Sequence, residues 1–424
     1  MGRVPPERLG VAAAVELLRR RELSAEELVS ACLRQIEGRE KEVLAWAWLD
    51  PHRALAQARA FDAGPPCPPL HGLPVGIKDI IDTADAPTEC GTPLLRGRRP
   101  ARDAACVAAL RSAGAVVLGK TVTTELAFFS PGPTRNPRGL DRTPGGSSSG
   151  SAAAVADFMV PAALGTQTAG SVIRPAAFCG VVGFKPSHGA LSLEGVHRFA
   201  PSLDTLGVLV REVADVPVLL EAMGYPVKVP VLARPPRVGL WRTSRWSEAT
   251  PAVQERIEQV AGILGRAGAE VREVTLGPEE DAWVDAQASI MAAEAVSSLR
   301  ELRASSGAGF SQVMQELLAG GDSVGPDQLR DCQRRARQAR IAASELLARA
   351  DVLLTPSAPG EAPEARTTGD PVFNRLPTLL GFPCVSLPAG VGPAGLPLGV
   401  QLVGAPRAEG ALIAVSSWVA TRLR

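Results

Sequence analysis

The sequence predicts an α/β fold, in which short apolar strands alternate with amphipathic helices around one large core. Three observations predict it. A chain of 424 residues with 46% hydrophobic and 21% charged side chains holds enough apolar material for a large interior and too little charge bias for disorder. Helix-start signals and apolar strand-like runs alternate along most of its length. Residues 130–190 are dense in Gly, Ser, Thr and Pro yet interleaved with Ala and Val, which reads as tight backbone packed in a core and not as a linker.

The first segment, MGRVPPERLGVAAAVELLRRREL, has a short apolar run broken by Glu16, the mark of an amphipathic helix and not of a secretion signal, so the cytoplasm is expected. Ser24 and Glu27 form a capping box ahead of Leu28, Ala31, Cys32 and Ile36. Asp50-Pro51 supplies an N-cap and first-turn proline for a helix through Ala63. After a Pro-rich loop, residues 73–79 read as a strand. Asp103 caps a helix through Ser112, Gly114 ends it, and residues 115–118 read as a buried strand. Residues 152–156 read as buried helix and 160–164 as buried strand. Strands at 237–241 and 270–276 flank a helix at 252–266. Residues 279–350 are mostly helical; strands follow at 351–355, 384–387 and 398–403, then a last helix from Glu409. Without an internal repeat, residues 1–424 are expected to form a single domain, with 279–350 a helical excursion within it.

Composition excludes several functions. Lys+Arg 45 against Asp+Glu 44 leaves a net charge of +1, without the basic surplus that gripping nucleic acid or anionic lipid demands. No run reaches the ~18 apolar residues of a membrane span; the longest candidate, 152–165, is broken by Asp157 and Pro161. The seven cysteines (32, 67, 90, 106, 179, 332, 384) form no CxxC pair, and the four histidines (52, 71, 188, 197) form no HExxH. Neither a disulfide framework nor a metal site is expected, nor any cofactor. The partner is a small molecule or another protein.

Only five basic residues are lysines, at 41, 78, 120, 185 and 228. Where charge alone matters the chain uses Arg, so a retained Lys marks a place for an amine that can lose its proton, although chance or packing explains any single one as well. Two Gly- and hydroxyl-rich segments, Thr143-Pro-Gly-Gly-Ser-Ser-Ser-Gly-Ser151 and Gly165-Thr-Gln-Thr-Ala-Gly-Ser171, can turn backbone amides toward one spot beside candidate nucleophiles.

These segments, with Gly72-Leu-Pro-Val-Gly-Ile-Lys-Asp79, Arg174-Pro-Ala-Ala-Phe-Cys-Gly180, Val182-Gly-Phe-Lys-Pro186, Ser202-Leu-Asp-Thr-Leu-Gly207 and Gly395-Leu-Pro-Leu-Gly-Val-Gln401, resemble the amidase signature family. Each piece is weakly specific alone; their order along most of the chain is highly specific. The resemblance implies a large mixed central β-sheet covered by helices on both faces, hydrolysis of a small carboxylic amide at its C–N bond, and by analogy a homodimer. It implies Ser171 as nucleophile, Ser147 as bridging serine in a cis peptide, Lys78 as base, and the N–H groups of Thr168, Ala169, Gly170 and Ser171 as oxyanion hole.

The implied chemistry is coherent. A free lysine titrates at ~10.4, so it acts as a base at neutral pH only if burial lowers that value by about three, roughly 4 kcal/mol. Asp79, next in sequence, would hold Lys78 protonated unless strand alternation sends the two to opposite faces. Position 169 is Ala where the family usually has Gly, and Gln167 replaces a common Asp. Arg174 stands three residues after Ser171, an arrangement similar to malonamidase-like members. There the resemblance gives it a substrate carboxylate to bind; a structural Arg paired inside the fold is the alternative.

Competing readings exist. Gly114-Ala-Val-Val-Leu-Gly-Lys-Thr121 matches the phosphate-binding pattern GxxxxGK[ST], but its loop is an apolar strand preceded by a helix. Gly146-Ser-Ser-Ser-Gly150 matches GxSxG with Ser148 as nucleophile, which would need His188 or His197 as base. The glutamine-hydrolysing A subunit of tRNA-dependent amidotransferases carries the same triad; the Ser171–Arg174 spacing and the short chain set it second. Cys179 and Cys384 read as inert core thiols, Lys120 and Lys185 as structural, and Glu125 has no assignable role.

Overall fold

The computed structural model describes residues 4–65, 69–306 and 309–423. Eleven strands make one sheet: β1 (Trp46–Leu49), β2 (Pro74–Lys78), β3 (Val116–Thr121), β4 (Ala162–Gln167), β5 (Val182–Lys185), β6 (Thr205–Val210), β7 (Arg237–Trp241), β8 (Glu270–Val274), β9 (Val352–Pro356), β10 (Cys384–Val391) and β11 (Pro397–Val403). Their order is β1-β3-β2-β4-β6-β5-β10-β11-β9-β7-β8. The β3-β2-β4 and β9-β7-β8 runs are parallel and the other neighbours antiparallel, so the sheet is mixed, as expected. Helices cover both faces: α1 (Val11–Arg19), α2 (Ala25–Val43), α3 (Pro51–Ala63), α4 (Ala105–Ser112), α5 (Ser149–Ala156), α6 (Ile173–Cys179), α7 (Asp215–Ala222), α8 (Pro251–Arg266), α9 (Glu280–Ser298), α10 (Arg300–Ser306), α11 (Gln312–Asp322), α12 (Pro326–Leu347), α13 (Val372–Leu380) and α14 (Glu409–Leu423).

Local chemistry explains most boundaries. Ser24 Oγ accepts from Glu27 N at 3.0 Å and Glu27 Oε2 from Ser24 N at 2.8 Å, closing the capping box that starts α2. Asp50 Oδ1 accepts from Arg53 N at 3.0 Å ahead of Pro51 in α3. The expectation for Asp103 fails. Ala104 is the N-cap of α4, and Asp103 Oδ1 instead accepts from Ala84 N at 2.8 Å while Oδ2 meets Arg111 Nε at 3.0 Å. A long-range loop contact and an ion pair outcompete the local cap. Strand β3 also runs past 118 through Thr121, with Lys120 opposite Ile77 of β2. The GxxxxGK[ST] match is therefore sheet, with no loop to wrap a phosphate. Elements β1, β5, β6, α6, α7 and α13 carried no signal strong enough to be expected.

The site is positioned by β2 and β4, central parallel neighbours buried along their whole length. Both end in polar residues, Lys78 on β2 and Thr166-Gln167 on β4, and parallel sheets bind ligands at those carboxyl ends. Helix α5 packs behind them with all eight residues buried, which its sequence Ser-Gly-Ser-Ala-Ala-Ala-Val-Ala permits because the side chains are small. At Gly150 a Cβ would lie 2.2 Å from the Ala45 carbonyl oxygen and 2.4 Å from Val122 N. Gly150→Ala is expected to cost about 1–3 kcal/mol through this overpacking, read as a lower urea midpoint at unchanged slope.

Candidate active site

Lys78 ends β2 fully buried, and its Nζ donates to Ser147 Oγ at 2.7 Å and to Thr166 Oγ1 at 2.8 Å, with the Thr166 carbonyl at 3.5 Å. Among the described residues no carboxylate touches it. Burial pushes its pKa well below the usual lysine value, with Asp204 as the largest opposing charge. Asp79 faces the other way, as alternation requires: Oδ1 pairs with Lys120 Nζ at 3.0 Å and Oδ2 accepts from Glu89 N at 3.1 Å. Lys120 also donates to Thr88 Oγ1 at 2.6 Å and the Pro87 carbonyl at 3.1 Å, a structural set of partners. Lys185 donates to two carbonyls, at Pro186 and Phe382.

Ser147 follows a cis peptide bond from Gly146 and is buried. Ser148 N donates to the Ser171 carbonyl at 3.3 Å, tying this segment to the loop after β4. Ser148 Oγ itself is engaged with the backbone of Thr166, accepting from N at 3.2 Å and donating to O at 3.3 Å. His188 lies against the Pro201 carbonyl, and burial next to Arg98 pushes His197 down to about 4. The histidine-dependent elbow has no support here.

Ser147, Thr168, Ala169, Ser171 and Arg174 line one narrow cleft, walled by Phe128, Phe129, Phe199 and Met291. Gly170 lies behind it, where an added Cβ would meet Asn374 Oδ1 at 2.5 Å. No described residue accepts from the N–H groups of Thr168, Ala169, Gly170 and Ser171. The next two amides, of Val172 and Ile173, donate to Gln167 Oε1 at 2.9 and 3.1 Å. Gln167 thus caps α6, a task for a side-chain oxygen that needs no charge. Ala169 keeps a negative φ, so its Cβ does not disturb the loop.

Arg174, in the first turn of α6, is 1% exposed. Its Nη2 donates to the Gly146 carbonyl at 2.7 Å, the carbonyl of the cis peptide, and to Thr368 Oγ1 at 3.4 Å. Its Nε and Nη1 find no partner among the described residues. The guanidinium lies 5.5 Å over the Phe129 ring, and burial pushes its pKa down to about 9. One nitrogen is structural and two are free.

Sequence reasoning missed several residues around this cleft. Asp204, inside the 202–207 segment, accepts from Thr168 Oγ1 at 2.5 Å through Oδ1, and from Phe199 N and Ala200 N at 2.8 and 3.0 Å through Oδ2. Gln287 of α9 donates to the Thr168 carbonyl at 2.9 Å, and Thr378 of α13 to the Ala169 carbonyl at 2.6 Å. Only Asp204 sat in a recognisable motif. Glu125 has a structural role, accepting from the Ser311 amide and hydroxyl at the start of α11. Cys179 and Cys384 are buried and burial raises both thiols, so they are inert. Cys67 lies outside the described residues; the other six cysteines are free. Among the described residues no His/Cys/Asp/Glu group fits a metal, and no helix is long and apolar enough to cross a membrane.

A buried amine on a serine, a second serine in the same cleft and a row of unused amides suit the hydrolysis of C–N bonds. The Amidase family matches residues 27–413, and the chain belongs to that family. It is 35% identical to the A subunit of the glutamyl-tRNA(Gln) amidotransferase of Roseiflexus castenholzii, over 97% of this chain and 95% of that protein. It is also 35% identical to the corresponding protein of a Geobacter species, over 93% of each. A crystal structure of an amidase superposes with a TM-score of 0.92 at 30% identity, over 98% of this chain and 100% of that one. The peptide amidase of Stenotrophomonas maltophilia superposes at 0.84 with 30% identity, over 99% and 98%.

Burial pushes the Asp204 carboxyl up from 3.8 to about 6. The folded state therefore binds more protons than the unfolded state between these values, and stability is lost as pH rises through them. Relative to Asp204→Asn, wild type is expected to lose stability from pH 3.8 to about 6 and no more above it. Urea midpoints measured across that range check this; parallel curves for the two proteins would refute it.

Proposed function

We propose that this chain hydrolyses a small carboxamide whose acyl part bears a carboxylate, through an acyl-enzyme on Ser171. The observation that carries this is the 2.7 Å contact of Lys78 Nζ with Ser147 Oγ, made by a buried amine without a counter-ion. Neutral Lys78 takes the Ser147 proton as Ser147 takes that of Ser171, and Ser171 Oγ attacks the carbonyl carbon. The carbonyl oxygen becomes an oxyanion received by the free amides of the 168–171 loop; a well-placed donor of this kind contributes roughly 3–4 kcal/mol. The proton returns through Ser147 to the leaving nitrogen, the C–N bond breaks, and water attacks the ester by the same route. The unpartnered Nε and Nη1 of Arg174 leave N–H donors and an uncompensated positive charge that suit a carboxylate, which accepts charge-assisted hydrogen bonds and supplies the missing counter-charge. The whole chain acts as one catalytic unit, with Met291 of α9 on the cleft wall.

A second reading, a glutamine-hydrolysing subunit that works with partner proteins, is favoured by the relatives from Roseiflexus and Geobacter, which are named as amidotransferase A subunits. Chain length does not count against it, because this chain spans 95% of the Roseiflexus castenholzii protein. L-Glutamine carries both a primary amide and a carboxylate, so one pocket serves either reading, and the need for a partner separates them.

Ser171→Ala is expected to abolish labelling by a fluorophosphonate, and Lys78→Ala to lower turnover about 10²- to 10⁴-fold. Peptide mapping that finds the label on Ser148 would overturn the assignment. Ammonia release should be screened with malonamate, related half-amides, L-glutamine and neutral amides. The chain alone is expected to prefer acid-bearing amides, and Arg174→Ala to lose that preference at least tenfold, on the order of a charge-assisted hydrogen bond. Unchanged selectivity in the variant removes the carboxylate anchor. Activity on glutamine only after a partner is added decides for the second reading.

A further inference from the structure

Two peptide groups of the 168–171 loop are gripped from behind by side chains that no motif marks. The Thr168 carbonyl accepts from Gln287 Nε2 at 2.9 Å, and the Ala169 carbonyl from Thr378 Oγ1 at 2.6 Å. Both peptides are trans, so C=O and N–H point in opposite directions. Holding the Thr168 carbonyl turns the Ala169 N–H away from α9; holding the Ala169 carbonyl turns the Gly170 N–H away from α13. We infer that Gln287 and Thr378 are positioning residues that aim the oxyanion-binding amides, a role that rests on the acyl-enzyme reading above.

Each grip is itself fixed. Gln287 is fully buried, and its Oε1 accepts from Arg375 Nη1 at 3.0 Å, which leaves Nε2 for Thr168. Thr378 Oγ1 accepts from Gln167 Nε2 at 3.0 Å, so its single proton goes to Ala169. Gln167 at the same time takes the Val172 and Ile173 amides, which separates the amides that build α6 from the ones left free. Asp204 holds the Thr168 hydroxyl from another direction, and Asn374 closes on Gly170. The loop is thus held at two of its peptide planes by α9, from the helical excursion, and by α13, from the C-terminal part. Donors fixed before the reaction need no reorganisation when charge develops on the substrate oxygen.

The test uses a fluorophosphonate on the full chain. Ser171 Oγ bonds to phosphorus, fluoride leaves, and the serine proton passes to Lys78 while negative charge grows on the phosphoryl oxygen. Gln287→Met and Thr378→Val are expected to lower the inactivation rate constant about 10- to 100-fold, short of losing a donor outright, with the binding constant for the reagent within twofold. Thr378→Ser, which keeps the hydroxyl, is expected to stay within threefold of wild type. The pH midpoint of inactivation should not move, because Lys78 is untouched. A role in folding alone would lower the fraction of labelled protein without changing the rate at which the folded fraction reacts, and would overturn the inference. So would a loss confined to reagent binding, a shifted pH midpoint, or a Thr378→Ser as slow as Thr378→Val. Wild type that is not labelled at Ser171 overturns the acyl-enzyme reading and the clamp with it; labelled wild type with normally reacting variants overturns the clamp alone.

Discussion

A lysine amine kept in the interior without a carboxylate is the constraint on which the site depends. Lys78 and Lys120 are both fully buried on adjacent strands, and their partners set them apart. Lys120 has Asp79 at 3.0 Å; Lys78 has two hydroxyls and a carbonyl. An unpaired buried cation costs several kcal/mol, and the amine avoids that cost by releasing its proton. Asp79 sits next to Lys78 in sequence, so a one-residue slip in β2 would exchange the two faces and turn Lys78 away from Ser147. Asp204 is the largest favourable charge near Lys78, but its oxygens are occupied by Thr168 and two backbone amides, and its own carboxyl resists ionisation.

The surrounding packing keeps that environment dry and close. Helix α5 brings backbone against β2, β3 and β4 because its residues are small, and Gly150 leaves no room for a Cβ. Aromatic rings form one wall of the cleft: Phe128 stacks on Phe199 at 5.5 Å and meets Phe129 edge-on at 4.8 Å. Low polarity on that side strengthens every charge interaction within the cleft. Arg174 joins the two functions of the region. Nη2 of its guanidinium holds the carbonyl of the Gly146–Ser147 peptide, while Nε and Nη1 are left without a partner among the described residues. The two alternatives posed by its sequence position, structural pairing and ligand binding, are compatible in one side chain.

Much of the fold and most of the site were legible in the sequence. The capping box at Ser24–Glu27 and the Asp50-Pro51 helix start were readable because a cap and its target lie within three residues. Strand β7 was readable from its apolar run, with the bounds the structure gives. Lys78, Ser147 and Ser171 were readable because their spacing belongs to a recognisable set of segments. Asp103 misled because a cap signal is local, whereas its carboxylate is engaged by Ala84 and Arg111. Gln287 was invisible: it meets a carbonyl 119 residues away, from a helix whose sequence marks no apolar face.

The sequence by itself therefore determined most of the elements and the family, and singled out the candidate reactive groups, since these are written in local periodicity and in ordered motifs. Tertiary structure decided which buried lysine meets Ser147 without a carboxylate, that Gln167 caps α6, that two nitrogens of Arg174 stay free, and that α9 and α13 hold the loop between β4 and α6. Those outcomes depend on burial and on which distant side chain arrives, and both come from the meeting of strands and helices far apart in the chain.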